Sequence, residues 1–334
     1  MRQAKQEPAG SVHVPGTTIT MYSDARGSWQ KLKAAGGTST YRVDYVIGSG
    51  AHASGYMTML GDHLFQSPVA YYKSRAAYDL APGYEGKPDP DFTRPVADGC
   101  VFCHAGSSSL IAGTQNGYGR PPFPHLAIGC ERCHGAEAAH LLKPQADNIV
   151  NPAHLERSAR DSVCEQCHLI GVARVLNPGK NFADFKPGEP LENTFTIYRN
   201  EMPKTADGAL KVISHSEQLA QSACLRNSNG RMWCGTCHDP HNEPADPVSS
   251  YRERCLICHG STKLAANHPS KSSNCIGCHM PKREANDGGH SAFTDHRIQR
   301  RPEHATAAEA TAMQPGESPR LRSGRATWGL LLSM

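Results

Sequence analysis

Six times between Cys100 and His279 the chain repeats one short pattern, two cysteines separated by two residues and followed at once by histidine. The six cysteine pairs are Cys100 and Cys103, Cys130 and Cys133, Cys164 and Cys167, Cys234 and Cys237, Cys255 and Cys258, and Cys275 and Cys278. Their histidines are His104, His134, His168, His238, His259 and His279. Cysteines three positions apart lie on one side of a single helical turn, so their sulfurs can grip one rigid group. Three chemistries use such a pair: a zinc ribbon, a thiol redox couple, or a porphyrin held by two thioethers with the next histidine on its iron. With 18 His in 334 residues, a histidine directly after all six pairs is not compositional accident, and it favours the porphyrin. The spacing therefore predicts six covalently bound haem c groups.

The composition agrees with that expectation. The chain has 31 Gly, 24 Pro and only 38% hydrophobic residues, which is lean for a protein packed by aliphatic side chains alone. Porphyrin faces would supply the missing apolar mass. Twelve of the 13 cysteines belong to the motifs, and Cys224 is left over, expected to be a small buried thiol. The formal charge is +4, and two propionates on each ferric haem would add roughly −6, bringing the loaded protein near neutral or slightly acidic. Lys and Arg are scattered without a basic run backed by aromatics, so nucleic acid is not an expected partner. No stretch of 18 apolar residues occurs, so no transmembrane segment is expected. The first residues carry charge but no apolar run of a secretory signal. Haem is attached to such motifs outside the cytoplasmic membrane, so an exported, periplasmic or extracellular protein is expected all the same, its first residues reflecting a missing upstream stretch, a misplaced start or processing.

A low-spin haem needs a second axial ligand, commonly His or Met. Of the twelve histidines outside the motifs, His13 and His304 lie in expected tails. His241 follows the fourth motif in His238-Asp-Pro-His241, and His140 stands six residues beyond His134. His290 and His296 flank a short segment after the last motif, His215 precedes the fourth, and His52 sits in the glycine-rich run Gly48-Ser-Gly-Ala-His52. These six are the expected second ligands. His268 makes an almost equal case, and His63, His125 and His154 weaker ones. Met21, Met57, Met202, Met232 and Met280 are expected to pack rather than ligate.

Along the chain, residues 1–15 read as a disordered lead and residues 16–95 as β-rich. Thr17-Thr-Ile-Thr-Met-Tyr and Tyr41-Arg-Val-Asp-Tyr-Val-Ile alternate as half-buried strands do, and Gly61-Asp62 fits a two-residue hairpin turn. The turn-forming stretch at 80–95 marks an expected seam. Residues 96–300 would be the six-haem region, its insertion at 171–215 forming loops around one short strand at 194–198. A helix is expected over 216–226, and residues 301–334 read as a disordered tail.

The runs His215-Ser-Glu-Gln-Leu-Ala-Gln-Ser-Ala-Cys, Trp233-Cys-Gly-Thr-Cys-His-Asp-Pro-His241, Cys275-Ile-Gly-Cys-His-Met-Pro and Gly289-His-Ser-Ala-Phe-Thr-Asp-His-Arg resemble bacterial multihaem cytochromes of the c-552/c-554 class, in the branch often fused to tetratricopeptide repeats. The likeness spans about residues 41–302. It implies mainly bis-His haems stacked in close pairs, with His140, His241, His290 and His296 among the second ligands. The fold then expected is a multihaem cytochrome c, mostly irregular with short α-helices around stacked haems, plus a small N-terminal β-rich region. The expected role is electron relay between redox partner proteins. A multihaem oxidoreductase acting on a small nitrogen or sulfur compound at an open axial position is the alternative, and residues 41–78 could serve as a docking surface for a partner or for another copy.

Overall fold

Alternating burial along Thr17–Asp24, with Thr17, Ile19 and Met21 inside and their neighbours half-buried, sets up the architecture. The computed structural model describes residues 1–199, 210–263, 268 and 273–299. Nine strands fill its first 80 residues: β1 (Arg2–Gln3), β2 (Gly10–Val14), β3 (Thr17–Asp24), β4 (Gly27–Ala34), β5 (Gly37–Val43), β6 (Tyr45–Ile47), β7 (Ala53–Leu60), β8 (His63–Tyr72) and β9 (Ala77–Leu80). They form two antiparallel sheets, one in the order β2-β3-β4-β5 and the other β1-β6-β7-β8-β9. Two-residue turns join most neighbours. Leu60 pairs with His63 across Gly61-Asp62, where Gly61 takes the left-handed φ of +63° that such a turn requires. Val12, Ile19, Met21 and Val43 of the first sheet share one apolar cluster with Val46, Tyr56, Val69 and Tyr78 of the second.

The expectation of a mostly irregular chain with a small β-rich region is overturned. Four antiparallel sheets with thirteen strands stand among the described residues, and the helices between them are short. The lead expected to be disordered is strands β1 and β2. β1 pairs with β6, Arg2 meets the buried Glu7 at 2.7 Å, and the Glu7 amide donates to Ser28 Oγ at 2.9 Å. Its order comes from backbone pairing and buried polar contacts, which a composition reading does not register. The stretch at 80–95 returns along β8: the Ala81 amide donates to Pro68 O, the Gln66 amide to Arg94 O and the Val96 amide to Leu64 O, at 2.8–3.0 Å.

The remaining elements are α1 (Asp98–His104), α2 (Glu131–His134), α3 (Ala138–Leu142), α4 (Arg157–His168), β10 (Ala173–Leu176), β11 (Phe195–Tyr198), α5 (His215–Ala220), α6 (Ala223–Arg226), α7 (Cys234–Cys237), α8 (Pro247–Lys263), α9 (Cys275–His279), β12 (Lys282–Glu284) and β13 (Ala292–Thr294). β10 pairs with β11 and β12 with β13, each as a small antiparallel ribbon. Strand β11 coincides with the one short strand expected in the insertion, but it has a partner in β10. The helix expected at 216–226 is two pieces. Ser222 ends the first and caps the second by accepting from the Leu225 amide at 3.1 Å. Val101 of α1 lies in one apolar cluster with Met57 and Leu64 of the second sheet, which anchors the first motif against the strands. The tail at 301–334, with His304, and Met202 lie outside the described residues.

Candidate functional site

Every motif is built on a helical turn, within α1, α2, α4, α7, α8 and α9 respectively. The His134 amide donates to Cys130 O at 2.8 Å and the His238 amide to Cys234 O at 2.9 Å, so both sulfurs and the imidazole issue from one turn. Backbone then leaves the helix at once. Ala105, Leu169 and His238 are extended, and Gly135 and Gly260 take φ of +73° and +48°. Among the described residues no disulfide joins any of the cysteines. Cys100, Cys130, Cys258 and Cys278 are exposed, one in each of four motifs, while both cysteines of the third and fourth motifs are half-buried. Groups held on α1, α2, α8 and α9 would therefore turn one sulfur edge to solvent, and those on α4 and α7 would be more enclosed. The sequence motif, identical at all six places, does not distinguish these positions. Among the described residues no three His, Cys, Asp or Glu side chains are grouped as the ligands of a bare metal ion.

Histidines outside the motifs come up against those inside. His134 faces His241 with ring centres 5.9 Å apart and planes 16° from parallel, His238 faces His296 at 6.1 Å, and His279 faces His268 at 6.0 Å. Two imidazoles bound through Nε2 to opposite faces of one iron would stand about 6 Å apart centre to centre, taking about 2.0 Å for each metal–nitrogen bond and adding the ring radii. His215 lies between His168 at 5.0 Å and His296 at 4.8 Å, making a cluster of four imidazoles with His238.

The other ring nitrogen is occupied in most of these. His134 Nδ1 is 2.7 Å from Val150 O, His279 Nδ1 2.7 Å from Gln299 O, His296 Nδ1 2.9 Å from Thr294 O, and His238 Nδ1 3.3 Å from the Tyr251 hydroxyl. A proton held on Nδ1 by a carbonyl leaves Nε2 as a lone pair, which is the tautomer a metal needs. Burial pushes His168, His238 and His296 below the ordinary histidine range. His215 falls to about 3, from burial first and then from the neighbouring His296, His168 and His238. The cluster is thereby kept neutral and ligand-ready. Surrounding protein, and after it the positive charge of the N-terminus, lowers His104 too.

The other expected ligands are placed differently. His140 Nδ1 is anchored on Asn148 Oδ1 at 2.9 Å and Gln145 O at 3.2 Å, in the same manner as the motif histidines. His52 stacks on Phe293 with centres 5.0 Å apart, and His290 puts its Nε2 on Asp79 Oδ2 at 2.8 Å beside Tyr72. Both sit at the second sheet, away from the imidazole pairs. His104 and His259 make no ring contact with another imidazole among the described residues. His268, which the sequence puts seven residues before Cys275, was the candidate left outside the expected six.

Sulfurs of different motifs also meet. Cys103 neighbours Cys167, Cys164 neighbours Cys234, and Cys255 neighbours Cys275, each pair within electrostatic reach. Cys237 lies within electrostatic reach of Cys258, and Cys164 within that of Cys133. In the sixth motif it is thus Cys275 that faces the fifth, and Cys278 is the sulfur left towards solvent. In space the motifs run first, third, fourth, fifth, sixth, with the second against the third and fourth. Cys224 is half-buried between the fourth and fifth.

No family model matches the chain, and no curated protein does. The crystal structure of the outer cell wall cytochrome OcwA aligns with 77% of this chain and 68% of its own, at 15% identity and a TM-score of 0.48. That likeness is too loose to bear on the site. Among the described residues no helix is long and apolar enough to cross a membrane.

Proposed function

We propose that the chain is a multihaem c-type cytochrome that relays single electrons. The observation that carries the reading is the meeting of motif and non-motif imidazoles at the separation one iron would span, with Nδ1 of the motif rings tied to carbonyls or a hydroxyl. The twelve motif cysteines, from Cys100 to Cys278, would hold six haem c groups as thioethers. His104, His134, His168, His238, His259 and His279 would each hold one haem iron. His241, His296, His268 and His215 would hold the irons together with His134, His238, His279 and His168. When bound, the haems supply reversible one-electron iron chemistry, the electron coming from a donor redox protein and leaving to an acceptor one.

The chain's own residues do the rest. The carbonyls of Val150, Gln299 and Thr294 fix ring orientation, the small β-ribbons carry Thr294 and His296 to the cluster, and the order of neighbouring sulfurs sets which sites adjoin. Attachment chemistry places the mature protein outside the cytoplasmic membrane. The test is expression with an added export signal in a host that matures c-type cytochromes, followed by intact mass and electron paramagnetic resonance. Six haems per chain, predominantly low-spin, are expected. Fewer than six sets aside the full count, zinc at the cysteines overturns the reading, and a strong high-spin signal with cyanide binding to the native protein would favour the oxidoreductase.

A further inference from the structure

The junction of the first and third motifs holds two cations that the motifs do not require. Arg174 of β10 directs Nη2 to Cys103 Sγ at 3.7 Å and Nη1 to Gln166 O at 2.6 Å and Leu169 O at 3.4 Å. Its guanidinium lies over Phe195 and Phe102, 5.0 and 5.5 Å from the ring centres. Arg132, inside the second motif, sits over the other side of the same region. It is 4.5 Å from the Phe102 centre, donates to Phe102 O at 2.7 Å, lies within electrostatic reach of Cys167, and keeps a buried Nε without a partner. Cys103 Sγ in turn reaches Gln166 O at 3.6 Å, and Gln166 Nε2 reaches Arg132 O at 2.8 Å.

Charge balance there is lopsided. Asp98 lies within the field of Arg132, Glu131 flanks Arg132 in the second motif and Glu165 stands inside the third; burial raises the Asp98 and Glu165 carboxyls towards their neutral forms. Among the described residues, Arg174 has carbonyls, rings and a sulfur for partners and no carboxylate. The walls are Phe102, Phe185, Leu191 and Phe195, at most 6% exposed, so water does little to screen either charge. A porphyrin carries its thioethers on the edge opposite its propionates, so a haem held by Cys103 would keep its own carboxylates away from Arg174.

We infer that Arg174 and Arg132 are positioning residues that hold the first and third haem sites at a higher reduction potential than the other sites, making their junction the resting place of an electron on the chain. The physical ground is that ferrous haem carries one positive charge fewer than ferric haem, so a fixed cation near it favours the reduced state. The inference rests on the reading of six haem sites given above.

The test is a spectroscopic redox titration of the haem-loaded protein and of Arg174→Gln, Arg132→Gln and Arg174→Lys, with haem counted by mass in each. Both glutamine variants should move two of the six one-electron components to lower potential and leave the others in place. Arg174→Lys, which keeps the charge and loses the fork, should stay near the parent. Six haems with an unchanged titration in both glutamine variants would overturn the inference, as would all components moving alike. Loss of haem from both glutamine variants would also overturn it, by making the arginines structural braces. Absence of six haems in the parent would instead strike at the multihaem reading itself.

Discussion

His241 shows how much one side chain decides. The Asp239 carboxylate accepts from the His241 amide at 2.9 Å and lies 3.3 Å from His241 Nδ1, which turns the ring towards His134. Replacing His241 with Ala should open one axial position and convert one haem per chain to high spin. Electron paramagnetic resonance and a cyanide titration check this, and a variant that stays wholly low-spin counts against the pairing. His215 offers a pH test. Its folded value near 3 lies below the ordinary 6.5, so between those limits the unfolded chain binds the extra proton. Stability is therefore present above about pH 6.5 and falls as pH drops towards 3, by up to about 1.4 kcal/mol per pH unit for this one ring. A bound metal competes with the proton and acts in the same direction. Thermal midpoints from pH 7 to pH 4 should decline, and His215→Gln should flatten the decline. At this scale the helical turns that carry the motif histidines were legible, because spacing marks them. The placing of His52 and His290 was not, because nothing local to either residue tells of Phe293 or Asp79 across the fold. Nor does the motif tell that Cys275 would meet a neighbouring sulfur while Cys278, on the same turn, would face solvent.

Strand β4 explains why so much of the sheet structure escaped the sequence. Its inward positions include Ser28 and Gln30, 1% and 0% exposed, while Trp29 turns outward, the reverse of the usual alternation. Polar partners make this tolerable: Ser28 Oγ donates to Lys5 O at 2.6 Å, and Ser67 Oγ donates to Gln30 Oε1. By contrast β3 and the β7–β8 hairpin follow apolar periodicity and turn chemistry, and both were legible. The β12–β13 ribbon depends on a feature with no local signature. Asp295 is fully buried, paired with Arg283 at 3.2 Å and Arg297 at 2.5 Å, and it directly precedes His296. Burial opposes its charge, but the Arg297 hydrogen bonds and both guanidinium charges prevail and lower its pKa. Asp295→Asn should cost about 3 kcal/mol, since it leaves the half-buried Arg283 and Arg297 without their counter-charge. It should also loosen His296. The expected readings are a lower denaturation midpoint and high-spin character at one haem, and a variant equal to the parent in both would remove Asp295 from that role.

Apolar packing is unevenly divided over the molecule. Among the described residues, twenty-one of the twenty-nine buried hydrophobic side chains precede residue 124, and eight serve the longer stretch beyond it. The first part has two sheets closed on a core of its own, and α1, Tyr118 and Phe123 add to it. The second part carries every motif after the first, and its one apolar cluster, around Phe185, Leu191 and Phe195, borrows Phe102 from the first part. Close packing demands that something fill the rest, and the porphyrin faces of the proposed haems would supply that apolar mass between the motif helices. Withholding haem should therefore affect the two parts differently. Protein exported from cells unable to attach haem should be cut readily by a nonspecific protease between about residues 130 and 299, where local opening is easy, while a fragment of about 1–125 persists. The haem-loaded protein should resist throughout. Equal resistance of both parts without haem would mean that the second half packs on protein alone, and the lean composition would then need another explanation.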